Sequence, residues 1–257
     1  PQVPPHNPVK YDIPAWSWPP HLLSTPQHFD QLFGLLVDGR TSVHLQDRIW
    51  ELVMLLPTNQ TLLDDIRRLG TPAPGEEWAR LFDQTNVFRL LYSLQIVEIL
   101  LTRPPPPPPG TPASDFKADF VTAGGVTHLV KLFLTTPCAE PPGESGAGGP
   151  MPPPKKAKPA QRITGSQERW LAVLALLLQV INHFVLGRPA QAIPLLEAGG
   201  PKEDILQHLL AVIHTCGTLD PAPATVPLVV QASVTLLENV TGASAHWLAA
   251  FLQCHAL

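Results

Sequence analysis

Apolar residues along this chain recur at intervals of three and four, the spacing of a helix with one buried face. The first such segment, 25–39, has an apolar stripe made of Phe29, Leu32, Phe33 and Leu36. The next, 42–57, predicts a helix capped by Ser42, with a face of Leu45, Ile49, Leu52, Val53 and Leu56. Alternation of apolar and polar residues, typical of a half-buried strand, is nearly absent. We therefore expect an all-α fold.

The same periodicity continues to the end of the chain. Further helices are predicted at 58–70, 76–83, 86–101, 116–134 (two helices), 166–187, 190–200, 202–217, 225–242 and 244–257. The segment 225–242 is rich in β-branched residues and could be taken for a strand. Its length, a possible cap at Thr225 and a stop at Gly242 favour a helix.

An Ala-Gly-Gly sequence occurs twice, each time between two apolar runs. It appears in FVTAGGVTHLVKLF (120–133) and again in LLEAGGPKEDILQHLL (195–210). Gly124 can adopt the left-handed conformation that ends a helix, and the next glycine allows a tight turn into a longer helix. A recurring helix pair of this kind predicts an irregular armadillo- or HEAT-like helical-repeat solenoid. An ordinary helical bundle with glycine caps is the alternative.

Proline divides the chain into folding and non-folding parts. The 32 prolines are concentrated near the N-terminus, around 103–112 and in 137–159. Such segments cannot form helix interiors, so we expect two disordered proline-rich insertions. The predicted organisation is an extended segment at 1–24, a first helical-repeat half at 25–102, a polyproline loop at 103–114, the Ala-Gly-Gly helix pair at 115–135, a disordered loop at 136–164 and a second helical-repeat half at 165–257.

Composition and charge narrow the classes of function. Hydrophobic residues make up 44% of the 257 residues, enough for a sizeable core, and the net charge is −4. The sequence shows no basic face or stripe, so we expect no nucleic-acid partner. The most apolar run, 171–186, is shorter than the roughly 20 residues of a membrane span and contains Gln179, Asn182 and His183. We interpret it as a core helix and expect no membrane partner.

The cysteines offer little for catalysis. Cys138 lies in a proline-rich loop, Cys216 ends a helix, and Cys254 is close to the C-terminus. His214 and His255 neighbour two of them in sequence, but residues two apart on a helix point in different directions. A nucleophilic cysteine needs an adjacent histidine, so we interpret all three as structural thiols. Their number and spacing fit a reducing compartment.

Metal and acid–base chemistry are not indicated either. The ten histidines are scattered, without an HExxH motif or paired Cys/His spacing; they are His6, His21, His28, His44, His128, His183, His208, His214, His246 and His255. The adjacent carboxylates Asp64–Asp65 and Glu76–Glu77 are typical of solvated or helix-dipole charges. We predict no catalytic, metal or cofactor-binding residue and no cofactor.

Three features outside the helices could contact partners. Pro104 to Pro109 would form a polyproline II rod, which SH3 and WW domains bind; a simple spacer is the alternative. The basic cluster at 152–162 could be a nuclear import signal or a solubilising patch. Trp16 and Trp18 are expected to pack the N-terminal segment onto the helices.

The N-terminus lacks the pattern of a secretory signal. We expect a cytoplasmic location, with the nucleus as a second one if the basic cluster acts in import.

Three stretches together resemble the large, fat-facets-type ubiquitin-specific proteases. They are WELVMLLPTNQTLLDDI (50–66), VFRLLYSLQIVEILL (87–101) and FVTAGGVTHLVKLF (120–133), with the insertion RPPPPPPGTPAS between the last two. The helix QERWLAVLALLLQVINHFV is similar more loosely. The resemblance covers about 45–187, and it places this chain in the armadillo-like, non-catalytic region of the family.

The resemblance implies that the parent polypeptide is a cysteine deubiquitinase, which removes ubiquitin from substrate proteins. The family's Gly-Asn-Thr-Cys-type cysteine box is absent, and no cysteine of this chain matches it. This chain would then act as a protein-interaction scaffold for substrates or regulators of the ubiquitin system. One alternative is an unrelated armadillo-like adaptor that binds partners through its surface or the polyproline loop. Another is a small helical hydrolase that uses Cys216 or Cys254.

Overall fold

The computed structural model describes residues 25–38, 40–69, 75–103, 115–137, 165–219 and 222–254. Within these ranges the chain forms twelve α-helices and no strand, which confirms the predicted all-α class. The helices are α1 (Pro26–Val37), α2 (Val43–Leu55), α3 (Gln60–Arg67), α4 (Gly75–Leu81), α5 (Val87–Thr102), α6 (Phe116–Thr122), α7 (Gly125–Thr135), α8 (Gly165–Val185), α9 (Pro189–Gly199), α10 (Lys202–Thr218), α11 (Val226–Ala243) and α12 (Ala245–Cys254). The chain divides into two compact units, with the boundary between Leu63 and Asp64.

The first unit is built around the pair α1 and α2. Phe29, Phe33 and Leu36 of α1 are buried, as their spacing predicts. The predicted face of α2 is only partly right, because Ile49 is buried whereas Leu45 is 50% exposed. The reason is that α2 packs through a narrow stripe and turns a polar residue towards α1. The Nε2 atom of Gln46 donates a hydrogen bond to the Leu36 carbonyl oxygen at 3.0 Å.

The other predicted residues of the α2 face are likewise partly buried and partly exposed. Val53 is buried, Leu52 is 36% exposed, and Leu56 lies beyond the end of the helix. The predicted cap Ser42 is confirmed, since its side chain accepts a hydrogen bond from the Leu45 N–H at 3.4 Å. The first unit therefore keeps part of its predicted apolar face in contact with solvent.

The second unit has α8 at its centre. Both α5 and α11 pack against α8, and α7 and α9 pack against α8 and against each other. Near the end of the chain, α10, α11 and α12 pack against one another. The apolar run predicted as a core helix is indeed buried, with Leu174, Leu177 and Val180 at 0% exposure.

The helix α8 also meets the length and composition criteria for a membrane span. Residues Gln167–Val185 have a mean hydropathy of 1.3, and 67% of the segment is buried inside the protein. A mostly buried core helix of a soluble protein meets the same length and hydropathy criteria, so these criteria do not distinguish it from a membrane span. The packing of α5 and α11 against α8 explains its apolar composition.

Both Ala-Gly-Gly sequences lie at the junction of a shorter and a longer helix, but only the first has a left-handed glycine. At the first, Gly124 has the predicted left-handed conformation, with φ 84°, between α6, which ends at Thr122, and α7, which begins at Gly125. The second glycine, predicted in the turn, is the first residue of α7. A β-carbon at Gly125 would lie 2.2 Å from the ring of Phe120. At the second, the prediction of the same glycine turn is wrong: Gly199 is the last residue of α9, Gly200 is extended with φ 176°, and Pro201 precedes α10, which begins at Lys202. The second junction lies against α7, so the two Ala-Gly-Gly pairs are structural neighbours.

Two predicted helix signals at the ends of α11 fail. The helix continues through Gly242 to Ala243, so this glycine does not stop it. Thr225 occupies the position before the helix, but its hydroxyl makes no capping hydrogen bond. A helical glycine costs only about 1 kcal/mol, which the packing of α11 against α8 offsets. By contrast, Asn86 caps α5 as predicted, accepting from the Arg89 N–H at 3.0 Å.

Candidate protein-interaction surface

A groove of about 440 Å³ lies between α6 and α9, beside the C-terminal end of α8. The residues of α9 that line it are spaced as one helical face, at Gln191, Ala192 and Leu195. From α6 the lining residues are Lys117, Ala118, Val121 and Thr122, and from α8 it is Phe184. Each of the three helices contributes an apolar residue to the lining, and the charged residues of the lining are Asp115, Lys117 and Arg188.

Lys117 is held in place by the end of α8. Its Nζ atom donates a hydrogen bond to the carbonyl oxygen of His183 at 2.6 Å and lies 5.5 Å from the centroid of the Phe184 ring. The carbonyl belongs to the last turn of α8, where carbonyl groups have no partner within the helix. The lysine therefore caps α8 and brings a positive charge to the groove.

Asp115 is occupied at the start of α6. Its Oδ1 atom accepts hydrogen bonds from the N–H groups of Lys117 and Ala118, at 3.1 and 3.4 Å. This is the arrangement of an N-terminal helix cap. The carboxylate thus already serves as an acceptor within its own helix.

Arg188 reaches the groove because the chain turns sharply after α8. Gly187 has φ 81°, a conformation that glycine adopts without steric cost, and Pro189 then opens α9. Arg188 is the residue before the helix, and its side chain is exposed. In the described part of the chain, its guanidinium group has neither an ion-pair nor a hydrogen-bond partner.

A second groove, of about 280 Å³, lies between α8 and α11, with Glu98 of α5 also at its lining, and several carboxamides contribute to it. Gln179, Asn182 and Gln231 all contribute to it. The Nδ2 atom of Asn182 donates to the carbonyl oxygen of Ala232 at 2.9 Å, linking the two helices. The leucines at its edge, Leu186 and Leu228, are 51% and 47% exposed.

His128 of α7 packs within a cluster of aromatic side chains. The ring of His128 stacks on Trp78 at 5.1 Å between centroids and is tilted against Phe82 at 5.8 Å. Burial, together with the nearby charge of Lys131, lowers the pKa of His128 to about 4. Its buried Nε2 atom has no hydrogen-bond partner among the described residues. The ring is therefore a neutral core group at pH 7.

Two of the three cysteines, Cys216 and Cys254, lie in the described residues. Cys216 is 3% exposed on α10, and burial raises the pKa of its thiol. Cys254 ends α12 and is half-buried. A raised pKa disfavours the thiolate that a nucleophile needs. Cys138 and His255 lie outside the described residues.

The remaining candidate groups are structural or exposed in the described ranges. No group of three His, Cys, Asp or Glu side chains in these ranges could hold a metal ion. Asp65 pairs with Arg80 at 3.1 Å, whereas Asp64 lies 3.8 Å from Arg68. Glu76 and Glu77 lie in the first turn of α4, where the predicted dipole interaction is favourable.

Several predicted features lie outside the described residues. They are Trp16 and Trp18, the polyproline run Pro104 to Pro109, the basic cluster at 152–162, and nearly all of the loop at 136–164. The grooves, in contrast, were missed by the sequence analysis. Lys117 and Arg188 are 71 positions apart in the printed numbering, and no local pattern connects them.

Comparisons with protein-family models, with curated protein sequences and with solved structures found no match for this chain.

Proposed function

We propose that this chain is a helical-repeat scaffold that binds other proteins. The observation that carries the proposal is a repeated order of three helices, which occurs twice in succession. The helices α6, α7 and α8 have the same order as α9, α10 and α11, with an Ala-Gly-Gly sequence at the junction of the first two helices of each set. The third helices, α8 and α11, pack against each other, and α7 packs against α9 and α10.

This arrangement supports the finer description of the fold as an armadillo-like solenoid. In such folds each repeat contacts its neighbours, and stacking leaves extended surfaces between equivalent helices. The two grooves lie between such equivalent helices, one between α6 and α9 and the other between α8 and α11. Surfaces of this kind suit the docking of protein segments.

We further propose that the scaffold belongs to a large cysteine deubiquitinase. This step rests on the resemblance of 50–66, 87–101 and 120–133 to the fat-facets-type ubiquitin-specific proteases. The partners would be substrates or regulators of the ubiquitin system, in the cytoplasm and, through the basic cluster, in the nucleus. The raised pKa of the Cys216 thiol supports a non-catalytic role for this part of the chain.

A comparison of two ubiquitin substrates tests the proposal. The full-length protein and a variant lacking 115–254 are assayed on ubiquitin carrying a fluorogenic leaving group and on ubiquitin attached to protein substrates. Both proteins are expected to hydrolyse the fluorogenic substrate, and the deletion variant is expected to process protein conjugates more slowly. Absence of hydrolysis by the full-length protein would contradict the deubiquitinase assignment. Equal rates on protein conjugates would contradict the scaffold role.

A further inference from the structure

The groove between α6 and α9 has an electrostatic imbalance that points to its occupant. Two cations, Lys117 and Arg188, lie around it with a single carboxylate, Asp115. That carboxylate already accepts two backbone N–H groups of α6. The groove is therefore positive although the whole chain has a net charge of −4.

The start of α9 adds to this positive character. No acidic residue lies in its first turn, and no side chain caps it. Pro189 has no N–H group, and the Gln191 N–H donates to the Arg188 carbonyl oxygen at 3.1 Å, so fewer N–H groups than usual are left free at this helix start. The partial positive charge of the helix end is therefore a small addition, and it falls off within about one turn. Because Arg188 directly precedes α9, its guanidinium and the start of the helix act at the same end of the groove.

Both sides of the groove and its end at α8 also contribute apolar surface. Val121 and Leu195 are partly exposed there, beside the buried ring of Phe184. The α9 stripe from Arg188 to Leu195 is about 10 Å long at the rise of an α-helix. An extended peptide covers this length with about three residues. The volume of about 440 Å³ also lies within the usual range for ligand clefts.

We propose that this groove binds an extended acidic segment of a partner protein. An aliphatic side chain of that segment packs against Val121 and Leu195, and a neighbouring carboxylate pairs with Arg188. Lys117 contributes charge while it remains bound to the His183 carbonyl group. The apolar lining residues favour a peptide over a free inorganic anion, which would gain nothing from aliphatic contacts. The proposal rests on the protein-binding function proposed above and names the class of partner.

The test selects peptides without assuming their sequence. A phage-displayed library of random dodecapeptides is screened on the 257-residue protein, and recovered peptides are labelled and titrated by fluorescence anisotropy. The expected peptides combine Asp or Glu with a neighbouring Leu, Ile or Val. The variant Arg188→Glu is expected to weaken their binding about ten-fold or more, because a charge-assisted pair becomes a repulsive one.

Two control variants separate local from general effects of charge. Arg188→Lys keeps the positive charge and should retain most of the binding. Arg48→Glu makes the same change in net charge at a side chain that is 64% exposed in the first unit, and should leave the affinity unchanged. Thermal melting of each variant shows that it is folded.

Several outcomes would overturn the proposal. These are recovery of no peptide, recovery of peptides without acidic residues, and equal affinity of the wild type and Arg188→Glu. Self-association that Arg188→Glu abolishes in analytical ultracentrifugation would assign the groove to a second copy of this chain. Each result is independent of ubiquitin cleavage by the full-length protein, so failure of this inference and failure of the deubiquitinase assignment can be told apart.

Discussion

Gly199 lies directly against Val130, so that a β-carbon at position 199 would stand 2.5 Å from the Val130 Cβ atom. The same β-carbon would lie 3.0 Å from the carbonyl oxygen of Thr127. Gly199 belongs to the second Ala-Gly-Gly sequence, whereas Val130 lies on the helix that follows the first. The first glycine of the second Ala-Gly-Gly sequence therefore allows the end of α9 to pack closely on α7.

Gly199→Ala is expected to destabilise the second unit by about 1–3 kcal/mol, because the added methyl group would overlap the Val130 side chain and force α7 and α9 apart. The measurement is chemical denaturation followed by circular dichroism. Gly217→Ala is the matched control, since its β-carbon would meet nothing within 4 Å on α10. That variant should be neutral or more stable by up to about 1 kcal/mol. Equal effects at both positions would contradict the packing described for α9.

Leu129 is 0% exposed at the centre of the α7 face. Leu129→Ala should lower the free energy of unfolding by about 2–5 kcal/mol, through lost burial and a residual cavity. Leu186→Ala removes the same atoms at a site that is 51% exposed, and it should change the free energy of unfolding by no more than about 0.5 kcal/mol. A small effect at Leu129 in thermal and chemical melts would place it on the surface and break the helical register.

The pKa of His128, lowered to about 4 from 6.5, makes the fold sensitive to acid. In the unfolded chain this histidine takes up a proton below about pH 6.5, whereas in the folded chain it remains neutral until about pH 4. Its contribution is therefore full above pH 6.5 and is lost as the pH falls towards 4. At about 1.4 kcal/mol per pH unit, the loss between pH 7.5 and pH 5 is about 2 kcal/mol.

The variant His128→Phe isolates this effect, because phenylalanine keeps an aromatic ring at this position and does not titrate. Urea unfolding of both proteins at pH 7.5 and pH 5 gives the comparison. The wild type should lose about 2 kcal/mol more than the variant over this interval. Parallel losses would show that the ring of His128 is solvated or paired in the folded protein.

Asn182 links α8 to α11 through its Nδ2 donor, and its Oδ1 atom is buried without a partner in the described residues. Asn182→Asp should destabilise the protein by about 2–4 kcal/mol at pH 7.5, since it buries a carboxylate facing the Ala232 carbonyl group. Acid should relieve part of this loss, because the protonated carboxyl group can donate again. Gln179→Glu, on the same helix and half-buried, should cost much less. Calorimetry at two pH values distinguishes the variants.

The sequence was informative wherever the structure depends on local pattern. The apolar spacing located the helices, and the left-handed Gly124 and the caps Ser42 and Asn86 follow from short-range backbone chemistry. It was misleading where packing decides. Leu45 has the spacing of a core residue, yet α1 covers only a narrow part of its helix.

The candidate groove could not be predicted, for the same physical reason. Lys117 bonds to the carbonyl group of a residue 66 positions away, and only the packing of the helices brings the two together. Arg188 looks like an ordinary loop residue in the sequence. Its position beside Val121 and Leu195 depends on how α6 and α9 are placed around α8.

Ubiquitin-chain cleavage by the full-length protein tests the central claim most directly. The claim predicts cleavage that is abolished by replacing a catalytic cysteine in a protease domain outside these 257 residues. It also predicts cleavage at wild-type rates in Cys216→Ser and Cys254→Ser, because neither thiol takes part in the reaction. Absence of cleavage, or loss of cleavage in either of these two variants, would contradict the assignment of this chain as the non-catalytic scaffold of a deubiquitinase.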